Sequence, residues 1–356
     1  MTVAKVAVFF YTVAIMSDIF NKLLVLRMPR IGPAKYNELI SKFGSADAVV
    51  DAIGVGDDLR DSVAREMENA ARLGITYICD SDDLYPAALR EIKNHPPIIT
   101  ARGNLETLRR HTVGIVGTRH ATAAGISFVS EMAREFATRG IAVVSGMAIG
   151  TDSAAHRGAL RANGDNQTIA VLGGGADYIW PIENESLYYE ILERGVVVSE
   201  MPVGFVPTGS NFVVRNRWIA GIAEKLILGE ADLKSGSMTT ARFAIETNRE
   251  LWAIPSHPAD SRSMGPNSLI ASGAAKLCMG IGDFYDGNKK QSPKSQKVES
   301  GSESENDVLD KLGTIPVSES VLTQIVKKSV SEIKRDLVVL ELRGIIKKVD
   351  GGYIKL

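Results

Sequence analysis

Three short stretches of this 356-residue chain carry side chains suited to holding an anion. Gly117-Thr118-Arg119 reads as a tight turn ending in a guanidinium, whose planar fork matches phosphate oxygens. Ser235-Gly236-Ser237 opens a helical pattern, where unpaired backbone N–H groups and the helix dipole favour negative charge. Between them, Asn211-Phe212 is followed by Arg215-Asn216-Arg217, an aromatic ring beside two guanidinium groups. That pairing suits a single nucleic-acid strand, with arginine for phosphate and a ring face for a base. A core Phe212 with two surface arginines is the plain alternative. Ser145-Gly146 ends one apolar run, and Gly173-Gly174-Gly175 follows another, where small residues let something approach the main chain.

Acid–base chemistry has thinner support. Asp152 and His156 stand four apart on one helical pattern and could face each other. No nucleophile accompanies them, so the expected roles are structural: a carboxylate near a helix start and a histidine bonded inside the domain. No metal-ligand spacing occurs and no catalytic residue is assigned. A dinucleotide site would show GxGxxG after the first strand and an acidic residue about 20 positions on. The turn here reads GTRHATAAG and the next strand ends in Ser145-Gly146. GxxxxGK[ST] is also missing, so no NAD or nucleoside-triphosphate cofactor is expected.

The elements that must position these groups alternate regularly. Val113–Val116 is a β-branched run. Phe128, Met132 and Phe136 follow at helical spacing, Gly140 closes the helix, and Ile141–Val144 is a second strand. The spacing predicts strands at 113–116, 141–145, 168–172, 196–199, 225–229 and 251–254. Helices are predicted near 122–138, 151–163, 184–194, 215–223 and 237–248. This is the pattern of a doubly wound, Rossmann-like parallel sheet of the α/β class. The three anion-binding stretches then fall on one edge of one sheet, which suggests a polyanionic strand rather than a small metabolite.

The flanks differ in character. Residues 17–74 read as a small helical domain, with Ser17-Asp18 as a cap, Leu23, Leu24 and Leu26 on the first helix, and a second helix at 34–43. Further helices at 46–53 and 57–73 complete it. Helix, glycine turn and helix suggest a helix-hairpin-helix or SAM-like bundle, with a ligand-free bundle as the alternative. Ile75–Cys79 reads as a strand, and two proline breaks after it suggest an irregular connection into the sheet domain, 75–285. Residues 286–305 are polar and read as a flexible linker. The last stretch, 306–356, reads as three helices and a hairpin turned by Asp350-Gly351, the order of a winged helix. Lys327, Lys328, Lys334 and Arg335 lie at its third helix, but nearby acids nearly cancel them, so a DNA partner and a protein partner both stay open.

Net charge is −1, which argues against binding nucleic acid by bulk charge but not against a local basic groove. Cys79 and Cys278 lie far apart without CxxC spacing, as expected in a reducing cytoplasm. Val6–Met16 is apolar yet too short to span a bilayer. No small-residue cleavage site follows it. Met16 is read as the native start, with 1–16 as an extension preceding it.

The stretches VGIVGTRHAT, VVSGMAIGTDSAAHRGAL, AVLGGGADYIWPIEN, NFVVRNRWIAG and SGSMTTARFAIETNRELWAIP occur here in the order seen in one family. Over residues 75–280 the chain resembles the DprA, or Smf, family of bacterial DNA-processing proteins. The resemblance implies an extended Rossmann fold that binds single-stranded DNA, forms a homodimer and loads the RecA recombinase during natural transformation, without catalysis. Matched by position, Arg119, Ser145, Gly146, Phe212, Arg215 and Arg217 are the implied DNA-binding positions; Thr118, Asn211 and Ser235-Gly236-Ser237 join them from the anion-binding stretches read above. The implied dimer region contains Leu269, Ile270 and Leu277. Two positions depart from the family pattern: Gly209 replaces a basic residue three before the aromatic, and Ala148-Ile149-Gly150 replaces a turn that carries arginine. The rival is a phosphoribohydrolase resembling lysine decarboxylases. That reading would use Glu246, although SGSMTTARFAIE lacks the double glycine such enzymes carry.

Overall fold

A computed structural model describes residues 16–165, 167–285 and 307–356. The chain divides into two compact units, the first ending at Asp286 and the second starting at Gly287. Of the N-terminal extension read as 1–16, residues 1–15 lie outside the described residues, as does the stretch read as a linker (286–305).

Helix α1 is described over 16–27, so Ser17 and Asp18 lie within it instead of capping it, and Asp18 pairs with Lys22 at 2.7 Å. It is followed by α2 (Pro33–Phe43), α3 (Ala46–Ile53) and α4 (Asp57–Arg72). Pro33 opens α2, where its missing N–H costs nothing. Ser45 caps α3 by accepting from the Ala48 N–H. Leu23, Leu24, Tyr36, Leu39, Val49 and Val50 form a core that continues into Cys79 and Ile98 of the sheet. Arg27 grips Glu66 through two bonds of 2.7 and 2.8 Å, and the Tyr77 hydroxyl donates to the same carboxylate at 3.1 Å. The helical stretch and the sheet therefore share one unit, although the sequence divides them at residue 74.

Nine strands form the sheet: β1 (Ile75–Cys79), β2 (Ile98–Gly103), β3 (Thr112–Val116), β4 (Ala142–Ser145), β5 (Thr168–Val171), β6 (Val196–Ser199), β7 (Lys225–Leu228), β8 (Glu250–Ala253) and β9 (Lys276–Leu277). Their spatial order is β1-β2-β6-β5-β4-β3-β7-β8-β9. From β6 to β9 every pairing is parallel, whereas β2 runs antiparallel to β6 and β1 antiparallel to β2. The sheet is thus Rossmann-like and doubly wound, as the sequence pattern predicts, with β2 and β9 as additions it does not show.

Helices cover both faces, which is why the parallel strands are apolar throughout. On one face α6 (Ala123–Thr138) and α7 (Thr151–Leu160) lay Val129, Met132, Phe136 and Ala155 against Val113, Ile115 and Val143. Helix α8 (Glu185–Arg194) extends this layer with Leu187, Tyr188 and Ile191. On the other face α9 (Gly209–Ile222) and α10 (Gly236–Glu246) place Trp218, Ile219, Ala241 and Ala244 over Val144, Val171, Leu226 and Leu228, beside the short α5 (Ala87–Arg90). Winding reverses between β3 and β7, so the loops leaving those two strands part and open a crevice at their carboxyl ends.

Helix α11 (Met264–Ala271) follows β8. Leu269 and Ile270 are partly buried against the sheet core, and Leu277 alone of the three expected interface residues is exposed, at 44%. The triplet does not form one outward-facing patch.

The second unit holds a helical turn α12 at 307–309, then α13 (Glu319–Val326), α14 (Val330–Leu342) and an antiparallel hairpin of β10 (Ile346–Val349) and β11 (Gly352–Lys355). Leu309, Leu322, Ile333, Leu337 and Tyr353 form its core. Ser329 and Glu332 make a capping box at the start of α14. Three of the basic residues at the third helix, for which a DNA and a protein partner both stay open, face acids. Lys328 lies 3.0 Å from Asp307 and 3.9 Å from Asp336, Lys334 lies 3.9 Å from Glu319, and Arg335 lies 3.4 Å from Asp336.

Candidate nucleic-acid interface

The crevice between β3 and β7 is a cleft of about 710 Å³. One wall is the turn after β3, which carries Thr118, Arg119 and His120. The other is the loop from β7 into α10, with Asp232, Lys234 and Ser235 to Ser237. Trp180 and the first turns of α9 close it.

Arg119 is exposed at the end of a rigid turn. The Thr118 N–H donates to the Glu230 carbonyl at 2.6 Å, and the Thr118 carbonyl accepts from both N–H and hydroxyl of Thr151. Glu230 is only 8% exposed and works from both ends, because its carboxylate accepts from the Thr122 N–H at 2.7 Å and hydroxyl at 2.5 Å. Thr122 in turn caps α6 by accepting from Gly125 at 2.9 Å. Glu230 on β7's loop thus fixes the β3 turn with its carbonyl and the start of the helix after it with its carboxylate. Across the cleft Ser235 caps α10, accepting from the Ser237 N–H at 3.3 Å, and the two hydroxyls meet at 2.7 Å.

Helix α9 begins at Gly209, six residues before the predicted start, so Asn211 and Phe212 lie in its first turn rather than in a loop. Asn211 is absorbed by the cap: its carbonyl oxygen accepts from the Thr208 N–H and hydroxyl, each at 2.8 Å. Phe212 and Arg215, three apart, share the face towards the cleft, whereas Arg217 points away. There Arg217 donates to the Lys93 carbonyl at 2.6 Å and lies over the Trp218 ring, so it is no part of the cleft. A two-residue offset on a helix cannot place both guanidinium groups on one ligand.

Arg215 reaches the cleft only as its floor. It is 6% exposed and donates to the carbonyls of Gly146 and, at 2.7 Å, Val171. A Cβ on Gly146 would stand 2.6 Å from its guanidinium and 2.7 Å from the Asp152 carboxylate, so only glycine fits between those charges. Burial brings Arg215 down to about 10, with Asp152 opposing the shift and Arg119 adding to it. Burial pushes the Asp152 carboxyl up, against the attraction of Arg215 and the Ala148 N–H. Ser145 is fully buried, and its hydroxyl donates to the Ile115 carbonyl at 2.6 Å. Ser145, Gly146, Asn211 and Arg215 therefore build the site from within, in contrast to their expected role as contacts.

His156 is also internal. The Thr168 hydroxyl gives its proton to the Val143 carbonyl at 2.6 Å, so Thr168 accepts from His156 Nδ1–H at 2.6 Å. His156 Nε2 then lies buried without a partner, and burial together with Arg215 pushes the imidazole down to about 3. Neutral and sealed, it fits the structural role expected of it.

Trp180 has no counterpart in the sequence reading, yet it is the central ring of the cleft. Its centroid lies 4.3 Å from that of Phe212 at an interplanar angle of 41°, and the Arg119 guanidinium lies 5.1 Å from it. Gly173 makes room for Phe212, since a Cβ there would come within 2.9 Å of the ring. Glu246, the carboxylate of the hydrolase reading, ends α10. The helix starts at the cleft, so Glu246 lies about 16 Å away, eleven residues at 1.5 Å each, beside Asn248 and Arg249. Among the described residues no cluster of His, Cys, Asp and Glu could hold a metal, and no helix is long and apolar enough to cross a membrane.

Comparison with known proteins agrees with this architecture. The family model described as DNA recombination-mediator protein A matches residues 76–288, and the DprA-like N-terminal HHH domain matches residues 17–55. Protein Smf of Escherichia coli is 33% identical over 287 residues, covering 77% of this chain and 75% of that protein. DNA processing protein DprA of Bacillus subtilis is 37% identical over 205 residues, covering 57% and 68%. With Protein Smf of Synechocystis the identity is 39% over 202 residues, and the match spans 56% of this chain but half of that protein's length. The X-ray structure of DprA from Streptococcus pneumoniae superposes with a TM-score of 0.65 at 28% identity, covering 76% of this chain and 99% of that one. DprA of Helicobacter pylori, solved for its single-stranded DNA binding mode, gives 0.54 at 30% identity, covering 60% and 95%. With the cleft at the switch point, a helical stretch sharing the sheet's core and both family models matched in order, the chain belongs to the DprA/Smf family of DNA recombination mediators.

Proposed function

We propose that this chain binds single-stranded DNA in the β3–β7 cleft and, as a homodimer in the cytoplasm, hands it to a RecA-type recombinase during uptake of foreign DNA. The observation that carries the reading is the conjunction in one cleft of Arg119, the capped start of α10 and two aromatic rings. Cations and helix N-termini suit phosphates, and ring faces suit unpaired bases, which a duplex would keep covered. Binding needs no bond-breaking step. Asp152 and His156 are buried, and Glu246, the carboxylate the hydrolase reading would use, is a helix length away.

Affinity for single- and double-stranded oligonucleotides across a salt series tests the binding step. Single strands should bind more tightly, and Arg119→Ala should weaken binding and flatten the logarithmic salt slope by roughly 0.7. Equal affinity for duplex, or an unchanged slope in Arg119→Ala, would reject it. The mediator step is tested by RecA-driven strand exchange on DNA coated with single-strand-binding protein. Unchanged recombinase nucleation in the presence of a chain that binds the DNA would reject that part alone.

A further inference from the structure

The aromatic groups of the cleft are layered, and the layers are not equivalent. Both rings are half-buried, but Phe212 is hemmed in on more sides: Trp180 packs on it at 4.3 Å, a Cβ on Gly173 would come within 2.9 Å of its Cδ1, and the Arg215 guanidinium stands 5.9 Å from its centroid. Arg215 is itself tied to two main-chain carbonyls beneath the cleft and cannot move aside. Trp180 has a firm inner neighbour in Phe212, while its other close neighbour in the cleft is the exposed side chain of Arg119, 5.1 Å from the ring. Among the described residues that guanidinium makes no hydrogen bond or ion pair, only the contact with the indole.

We propose that Trp180 is the base-stacking platform of this cleft, with Phe212 as its backing and Arg119 as a cap that exchanges the ring for a phosphate. The proposal rests on the single-strand reading above and adds which ring meets the base. Its chemistry is an exchange of partners. An exposed cation–π contact is weaker than a charge-assisted, two-pronged hydrogen bond to a phosphate, so a strand's backbone draws the guanidinium off the indole. The indole face is then open beside that phosphate, where the strand's own base can stack. Backbone and base contacts are thereby coupled through one side chain: a phosphate without a base would uncap the ring without covering it.

The molecule carries its own reporter. Trp218 and Trp252 are 4% and 8% exposed, so Trp180 is the tryptophan a strand can reach. The experiment is titration of the full chain with a short oligodeoxythymidylate, followed by intrinsic tryptophan fluorescence and by anisotropy of the labelled strand. We expect quenching in the wild type that tracks binding. In Trp180→Phe the quenching should vanish while affinity falls less than in Trp180→Ala, because a smaller ring remains. Trp180→Ala should bind about tenfold more weakly, the effect of losing one stacked base, at an unchanged salt slope. An abasic deoxyribose-phosphate strand should bind without quenching. Quenching that persists in Trp180→Phe, or wild-type affinity in Trp180→Ala, would overturn the platform while leaving single-strand binding intact. A wild-type chain that shows no anisotropy change would overturn both.

Discussion

Replacing Arg215 by Met separates a scaffold arginine from a phosphate contact. In the fold its guanidinium spans the carbonyls of Gly146 and Val171 and lies across Gly146 from the Asp152 carboxylate. Methionine fills much of the volume but leaves two carbonyls and a buried carboxylate without their cation. Breaking one side of a buried charge pair costs about 3–5 kcal/mol. At roughly 2–4 °C per kcal/mol for a unit of this size, melting should fall by about 10 °C. The signs of the shifts add a pH signature. Asp152 is already held above the ordinary carboxyl range by burial, so folding favours its protonated form. A carboxyl with a raised folded pKa contributes stability below its unfolded value and loses it as pH rises through the folded one. Loss of Arg215 raises Asp152 further, so the deficit of Arg215→Met should be largest near neutral pH and shrink on acidification. Asp152→Asn in the same chain should restore part of the loss at neutral pH. Circular dichroism melts over pH 5–8, paired with single-strand affinity across salt, make the measurement. An unchanged melting temperature together with a salt slope lower by about 0.7 would show that Arg215 contacts phosphate and refute the scaffold role.

Arg217→Ala should leave single-strand affinity and salt slope unchanged and cost about 1 kcal/mol for its bond to Lys93; a weakened complex would place α9's outer face on the DNA path. Glu230→Ala strips the carboxylate from the Thr122 N–H and hydroxyl, so unfolding free energy by denaturant titration should drop by about 1.5–3 kcal/mol. Affinity should fall too, with the salt slope retained, because Arg119 is misplaced rather than removed; wild-type affinity would show that the turn holds without it. Leu277→Glu should disrupt self-association without loss of fold, since that side chain is exposed, and light scattering of an unaltered dimer would move the contact elsewhere. Leu269→Glu is a poorer probe, because Leu269 packs against the sheet core and the charge would act on folding.

Alternation of apolar runs and helical spacing made the parallel sheet legible, down to strand ends within a residue or so. Strand β2 escaped because Pro96-Pro97 and a short apolar run look like irregular chain; only its pairing with β1 and β6 makes Ile98–Gly103 a strand. The early start of α9 was hidden by Gly209-Ser210, poor helix formers that hold their place through the Thr208–Asn211 capping box. That spacing was a usable signal, and it would have moved Asn211 from ligand to cap. Helical geometry would likewise have set Arg217 opposite Arg215. Other parts of the site had no local signature. Nothing around Trp180 says that it meets Phe212, 32 positions on, and nothing around Glu230 says that it holds Thr122. Buried Arg215 is the same limit in another form: from sequence an arginine beside an aromatic looks like a ligand group, and only packing shows it under the floor.

The sheet ends at β9 with just two residues, Lys276 and Leu277. An outer edge this brief can offer a neighbouring chain one or two main-chain hydrogen bonds, too few to extend the sheet from one copy into another. If the proposed dimer forms at this end, it rests on side chains, among them the exposed Leu277 and Met279, rather than on strand register. Such a junction can be opened by one charge, and at this edge it leaves little room for the open-ended strand-to-strand growth that long bare edges invite.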